Sequence, residues 1–230
     1  MRTMNKIKRL FKHGLFFNAI FHRLSEFGFE IVPFYLFLED YYIDSLANNL
    51  FARAKPKSSQ WVIEYLKKED MKQVVDISNA YFTYFTEHKL LEMLANGCIC
   101  LGAKKNGNII AFIWCNLQGC HEKRLSFPLK HDEAYFFCAF TERNYRGVGL
   151  APYLRMHLMK DLIEKGRKRF YSINALFNTP AIKFKKKFNA KPAKLCLYVR
   201  FIKRYEKTYI LKDYAKNTSG ANNSGLRMFC

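Results

Sequence analysis

The chain has 230 residues, half of them hydrophobic and 17% aromatic, which is enough apolar material for a packed core and excludes an intrinsically disordered chain. Its net charge of +20 is unevenly placed: residues 1–24 hold six Lys/Arg and no acid, residues 179–230 hold thirteen against two acids, and the 154 residues between them carry only +3. The middle therefore reads as an ordinary domain between basic ends, a field that attracts anions without choosing among nucleotides, nucleic acid and an acidic membrane surface.

Residues 3–25 read as a basic amphipathic helix. Ile7, Leu10, Phe11, Leu15, Phe17, Phe21 and Leu24 share one side at helical spacing, with Lys8, Arg9, Lys12 and Arg23 opposite. Such a helix either packs on the domain through its aromatic face or lies on an anionic membrane. Polar Asn18, His22 and Arg23 interrupt it, so it is not read as a signal peptide. Residues 27–41 are apolar around Pro33, too short to span a bilayer, and read as one or two strands or an edge strand broken at the proline. Residues 54–60 read as a linker.

The seven cysteines fall mostly in strand-like stretches and are odd in number, as expected of reduced core thiols in a cytoplasmic protein. Cys98, Cys100, Cys115 and Cys120-His121 match no common zinc spacing, so no metal is expected.

An alternating succession of elements follows. Trp61–Leu66 reads as a strand, and Glu69–Ser78 and Glu87–Ala95 as helices. Cys98–Ala103 and Ile109–Asn116 form a hairpin through the Asn106-Gly107 turn. Leu125 to Lys130 gives no clear signal. Ala134–Phe140 is a strand, Pro152–Lys165 a helix with Leu154, Leu158, Leu162 and Ile163 inward, and Arg169–Leu176 a strand. A short helix capped by Asn178 or Thr179 comes next, with Pro180 in its first turn. Lys194–Phe201 and Lys207–Leu211 end the domain, and the Ser/Gly/Asn-rich stretch from Asn217 reads as a disordered tail.

The stretch from Phe136 to Ala151 carries the chemistry. A strand runs into a loop with Arg146, Gly147 and Gly149, and a helix follows. Glycines there permit positive φ, and a helix start offers free N–H groups and a positive dipole end, which together suit a phosphate or pyrophosphate. Two glycines between strand and helix also fit a plain tight turn. The pattern is neither G-x-G-x-x-G nor a P-loop, since Leu150 and Pro152 follow Gly149 and no Gly-Lys-Ser/Thr is present.

Arg146-x-x-Gly149-x-Ala151 resembles the R/Q-x-x-G-x-G/A signature of the GNAT superfamily of acyl-CoA-dependent N-acyltransferases. Asn178-x-x-Ala181 through Lys187 and Phe188 is similar to a second motif of that family, and the resemblance covers about residues 59–212. It implies an α/β fold with a mixed α+β sheet, a GNAT domain over 59–212, a basic aromatic extension over 1–58 and a tail over 213–230. It further implies that the backbone amides of Gly147, Val148, Gly149, Leu150 and Ala151, beside Arg146, hold the pyrophosphate of acetyl-CoA. Ala139 and Thr141, on one side of the preceding strand, would pair with the pantetheine arm.

The implied reaction is attack of a neutral amine on a thioester, with an acid to protonate the leaving thiolate. Where many family members carry a tyrosine acid, this chain has Lys185, which either donates a proton or is one more solvent-facing lysine in a run. Tyr145, Tyr153 and Tyr171 have no positional claim. Glu133 shares alternation with Ala139 and is the candidate base, or else a surface residue at a strand end; Asp132 faces the other way, and water can relay the proton. Asn178 either orders the acceptor or caps its helix. The expected acceptor is the amine of a small molecule or of an amino-sugar or surface-polysaccharide precursor. The alternatives are a protein amine, or a non-catalytic basic module that binds a membrane, through residues 1–25, or nucleic acid.

Overall fold

The computed structural model describes residues 27–40, 61–79, 85–202 and 204–214. The amphipathic segment 3–25, the linker 54–60, the expected boundary at residue 58 and the tail from 217 lie outside the described residues. In chain order the elements are β1 (Phe29–Asp40), β2 (Val62–Tyr65), α1 (Met71–Asn79), α2 (Glu87–Ala95), β3 (Cys98–Lys105), β4 (Asn108–Asn116), β5 (Gly119–Glu122) and β6 (Leu125–Pro128). After them come β7 (Glu133–Thr141), α3 (Leu150–Glu164), β8 (Arg169–Ala175), α4 (Thr179–Lys187), β9 (Lys191–Phe201) and β10 (Tyr205–Asp213). The residues divide into two compact units: the first holds 27–39, 121–127 and the chain from Tyr171, the second holds 61–120 and 128–170.

In the second unit β2, β3, β4 and β7 are neighbours in that order and pair antiparallel throughout, with the opening residues of β8 beside β7. The β3–β4 turn has positive φ at both Asn106 and Gly107, as a two-residue hairpin turn requires. Strand β4 is apolar along almost its whole length because both its faces are covered. On one face Leu150, Leu154, Leu158 and Leu162 of α3 meet Ile110, Ile113 and Phe136. Each such leucine contributes about 1.5–3 kcal/mol on burial. On the other face Met71 and Val74 of α1 and Leu90 of α2 meet Phe112 and Trp114. Gly166, at positive φ, follows α3 as its sequence predicts.

In the first unit β10, β9, β1 and β8 are neighbours in that order. Strand β1 runs antiparallel to β9 from Phe29↔Phe201 to Leu38↔Lys191. One face packs Phe34, Cys196 and Tyr198 with Leu125, Ile173 and Ile210. Of the readings of 27–41, the single strand holds and the edge strand broken at Pro33 is corrected: β1 is continuous and has neighbours on both sides. The Pro33 carbonyl accepts from the N–H of Leu176 at 2.9 Å, just past the end of β8. The missing proline N–H therefore falls where that ladder stops, and an interior proline is tolerated. The stretch around Leu125 that gave no signal forms the hairpin β5–β6.

Candidate active site

Strand β7 is irregular just before the loop. Phe112 of β4 stands opposite Phe140, and Trp114 opposite Phe137, so Ile113 alone faces both Cys138 and Ala139. This is a β-bulge, and Cys138 takes φ +42°, a sparsely populated conformation for a residue with a side chain. Beyond it Phe140 is buried and stacks on Phe112 with ring centroids 5.5 Å apart. Ala139 is exposed and Thr141 half-buried, so the two share the opposite side of the strand end. The hydroxyl oxygen of Thr141 is enclosed and, among the described residues, has no hydrogen-bond partner.

Short bonds then fold the loop. The N–H of Glu142 donates to the Ile110 carbonyl at 2.8 Å, which ties the loop to β4. Residues Arg143–Tyr145 make a single 3-10 turn. The Tyr145 ring lies edge-on to Trp61, with centroids 6.3 Å apart. Arg146 donates its Nε–H to the Thr141 carbonyl at 2.9 Å. Gly147 and Gly149 have φ of +84° and +86°, and Val148 between them is exposed. A Cβ on Gly147 would meet nothing within 4 Å, so the backbone conformation, not crowding, demands glycine there.

Gly149 caps α3, and the N–H of Tyr153 donates back to its carbonyl at 3.0 Å. Pro152 has no N–H to satisfy. Among the described residues, none accepts a hydrogen bond from the N–H of Gly147, Val148, Gly149, Leu150 or Ala151. The first turn of this fifteen-residue helix holds no acid. Five donors, a positive dipole end and the Arg146 guanidinium thus converge on one short stretch, which suits a polyanionic group. The structure brings together Ala139, Thr141 and Arg146 through Ala151.

Glu133 lies at the opposite end of β7, eight residues before Thr141 and roughly 25 Å away along an extended strand. Its carboxylate is buried, accepts the Lys130 N–H at 2.9 Å and stands 3.3 Å from Arg169. Arg169 also forks onto both oxygens of Asp132, at 3.1 and 3.2 Å. Desolvation pushes the Asp132 carboxyl up, but the charge and hydrogen bond of Arg169, with a backbone N–H and His131, together hold it below its ordinary range.

The second motif belongs to the first unit. Asn178 caps α4, its Oδ1 accepting the Ala181 N–H at 3.3 Å, with Pro180 in the first turn. Lys185 is only 6% exposed, and the solvent-facing reading of it is corrected on that ground. Its ammonium donates to the Ser172 hydroxyl at 2.5 Å and pairs with the Glu39 carboxylate at 3.6 Å. Glu39 and Ser172 are also buried, and neither is singled out by the sequence. The signal for Lys185 is its helix face: Ala181, Phe184, Lys185 and Phe188 recur at the spacing of an inward stripe. Of the spare tyrosines, Tyr153 packs near His157, Tyr171 lies edge-on to Phe127, and Tyr145 props the loop.

Among curated proteins, none matches the chain in sequence. Solved structures of similar fold include a protein from Novosphingobium aromaticivorans assigned to the GNAT family as an acetyltransferase, with a TM-score of 0.54 at 15% identity over 75% of this chain and 66% of that one. Another is a GCN5-related glucosamine N-acetyltransferase region of a fungal multi-domain β-N-acetylglucosaminidase, with a TM-score of 0.53 at 11% identity over 80% of this chain and 23% of that one. A third is a tandem GNAT protein of the clavulanic acid biosynthesis pathway, with a TM-score of 0.50 at 12% identity over 78% and 54%. At such identities the likeness is one of fold, and the chain spans 66% or less of the length of these structures. The family model described as acetyltransferase (GNAT) matches residues 60–189, from just before β2 to just past α4, and includes both motifs. The chain therefore belongs to the GNAT family of acetyltransferases.

Proposed function

We propose that this protein transfers an acetyl group from acetyl-CoA to an amine, and that the loop after β7 holds the coenzyme's pyrophosphate. The observation that carries the reading is the set of five N–H groups from Gly147 to Ala151 without acceptors among the described residues, beside Arg146. The residues fit such a group: the donors are neutral amides at a helix start, no acid competes for them, and a Cβ at Gly147 would meet open space. Acetyl-CoA supplies the acyl thioester and the thiolate leaving group. Ala139, exposed beyond the bulge, and Thr141 offer the strand edge to the pantetheine arm.

Lys185 takes the place of a tyrosine acid in this reading, with Ser172 and Glu39 fixing its ammonium. The bonds to Lys130 and Arg169 favour an anchoring role for Glu133, with the amine proton leaving through water. The Asn178 cap supports a positioning role for that residue. Free thiols at six described cysteines are in keeping with a reducing, cytoplasmic setting.

For the acceptor we infer an amino sugar or a related surface-polysaccharide precursor. The likeness in fold to a glucosamine N-acetyltransferase region supports this, and the basic charge suits a nucleotide-linked sugar. Calorimetric titration with acetyl-CoA at moderate salt, with Gly149→Glu as control, tests the first step. Micromolar binding that is lost in the variant is expected. An acceptor screen on the wild-type chain should then release CoA with amino sugars and not with lysine peptides. No binding by the wild-type chain would sink this reading and leave a basic nucleic-acid-binding module on the same fold.

A further inference from the structure

Large apolar side chains left open to solvent are concentrated in the first unit. Among the described residues Val62 and Val148 are the exposed ones of the second unit; the first unit has Phe27, Ile31, Phe201, Ile202, Tyr205 and Tyr209, with Leu211 beside them. Pairing places most of them together. Phe29, Phe201 and Tyr205 form one row across β1, β9 and β10. Ile31, Val199 and Lys207 form the next, and Pro33, Leu197 and Tyr209 a third. All three rows lie on the face opposite Phe34, Cys196 and Tyr198, whose packing is complete without them. Phe27 is 75% and Ile202 58% exposed, and the Ile202 N–H bonds the Gly28 carbonyl at 2.8 Å, which holds both at one corner of this face.

The charges around the face are one-sided. Lys207 stands on it, its Nζ 5.6 Å from the Tyr209 ring centroid, and Lys212 lies 4.8 Å from that of Tyr214. Arg204 is exposed in the turn between β9 and β10. The nearby acids point to cations: Glu30 to Arg200 at 3.1 Å, Glu206 to Lys123 at 4.0 Å, and Asp213 to Lys194 at 3.7 Å. Glu30, Arg200 and Glu206 form a row on the other face.

We infer that this face of β1, β9 and β10 docks on an anionic lipid surface. Apolar patches of this kind mark an interaction site in a soluble domain. Tyrosine and lysine suit the boundary between headgroups and acyl chains, because each carries an apolar body and a polar end. The excess of cations selects an anionic leaflet. Among the described residues no helix is long and apolar enough to cross a membrane, so the docking is peripheral. This inference is independent of the proposed acetyl transfer, since the acetyl-CoA loop lies wholly in the second unit.

The test is cosedimentation of the full chain with vesicles of phosphatidylcholine, with and without phosphatidylserine. The wild-type chain should bind only vesicles containing phosphatidylserine, and salt should release it. Tyr209→Glu with Leu211→Glu, and separately Lys207→Glu, should each weaken binding at least about tenfold. Calorimetric titration of the same variants with acetyl-CoA should match the wild-type chain, which shows that they fold. Undiminished vesicle binding by both variants would overturn the inference and assign the membrane contact to residues 1–25. Equal binding to phosphatidylcholine alone, or none to either vesicle, would also overturn it. In the last case, a dimer in sedimentation velocity that Tyr209→Glu/Leu211→Glu dissociates would assign the face to a second copy of the chain.

Discussion

Arg146 reaches back over its own loop, and its Nε–H donates to the carbonyl of Thr141 at 2.9 Å. The bond joins the last residue of β7 to the residue that opens the glycine pair, and so sets where the free N–H groups point. It is exposed, so its net worth is about 1 kcal/mol. Arg146→Ala should raise the acetyl-CoA dissociation constant about fivefold with little change in melting temperature. Calorimetry checks this, and an unchanged constant would show that the loop holds its shape without the arginine.

Gly147 and Gly107 make a matched pair for separating strain from binding. Both have positive φ, and a Cβ on either would meet nothing within 4 Å. Alanine at either position should destabilise the chain by about 1 kcal/mol through backbone strain alone. Gly147→Ala should weaken acetyl-CoA binding, whereas Gly107→Ala, in the β3–β4 turn, should leave it unchanged. Equal affinities for the two variants would contradict the loop assignment.

Lys185 and Glu39 form a buried ion pair, with side chains 7% and 1% exposed. Lys185→Met leaves Glu39 buried without its cation and should cost about 3–5 kcal/mol in urea unfolding. Lys185→Met with Glu39→Leu should recover most of that loss, because the double change removes both charges. A double variant no more stable than the single one would show that Lys185 contributes packing and not charge.

Burial pushes the thiols of Cys98 and Cys196 from their ordinary value up to about 11. A raised folded-state value means that the folded chain holds the proton more tightly than the unfolded one. The associated stability is complete below about pH 9 and is lost as the pH rises from 9 toward 11. Iodoacetamide should label both residues slowly at pH 8 in the folded chain and rapidly after denaturation, as read by mass spectrometry. Fast labelling of the folded chain would refute their protonated, enclosed state.

What could be read from sequence follows from range. The β3–β4 hairpin is announced by adjacent Asn106 and Gly107, and α3 by leucines four residues apart, both local signals. The glycine loop was legible for the same reason. The β5–β6 hairpin was hidden because charged Lys123 and Arg124 sit in a stretch with little alternation. Glu39 and Lys185 are 146 residues apart, and nothing in either neighbourhood announces the pairing. Alternation counted Glu133 onto the side of Ala139, but the bulge puts the two on opposite sides of β7, and Arg169 already stands beside the carboxylate. Alternation could not show the bulge at Cys138, since a bulge adds a residue without changing composition.

The position of β1 also sets an order of events in the making of the protein. Its partner β9 begins 151 residues after β1 ends, so β1 leaves the ribosome long before β9 exists. At ~5–20 residues per second the wait is roughly 8–30 s. Strands β2, β3, β4 and β7 and helix α3 can pair and pack during that interval, because their contacts are made among residues already synthesised. β1 meanwhile presents an apolar segment with no β9 or β8 to take it. A chain cut short before Lys191 would still hold β8 but would leave the β9 side of β1 open for good, which makes loss of the last strands a route to aggregation.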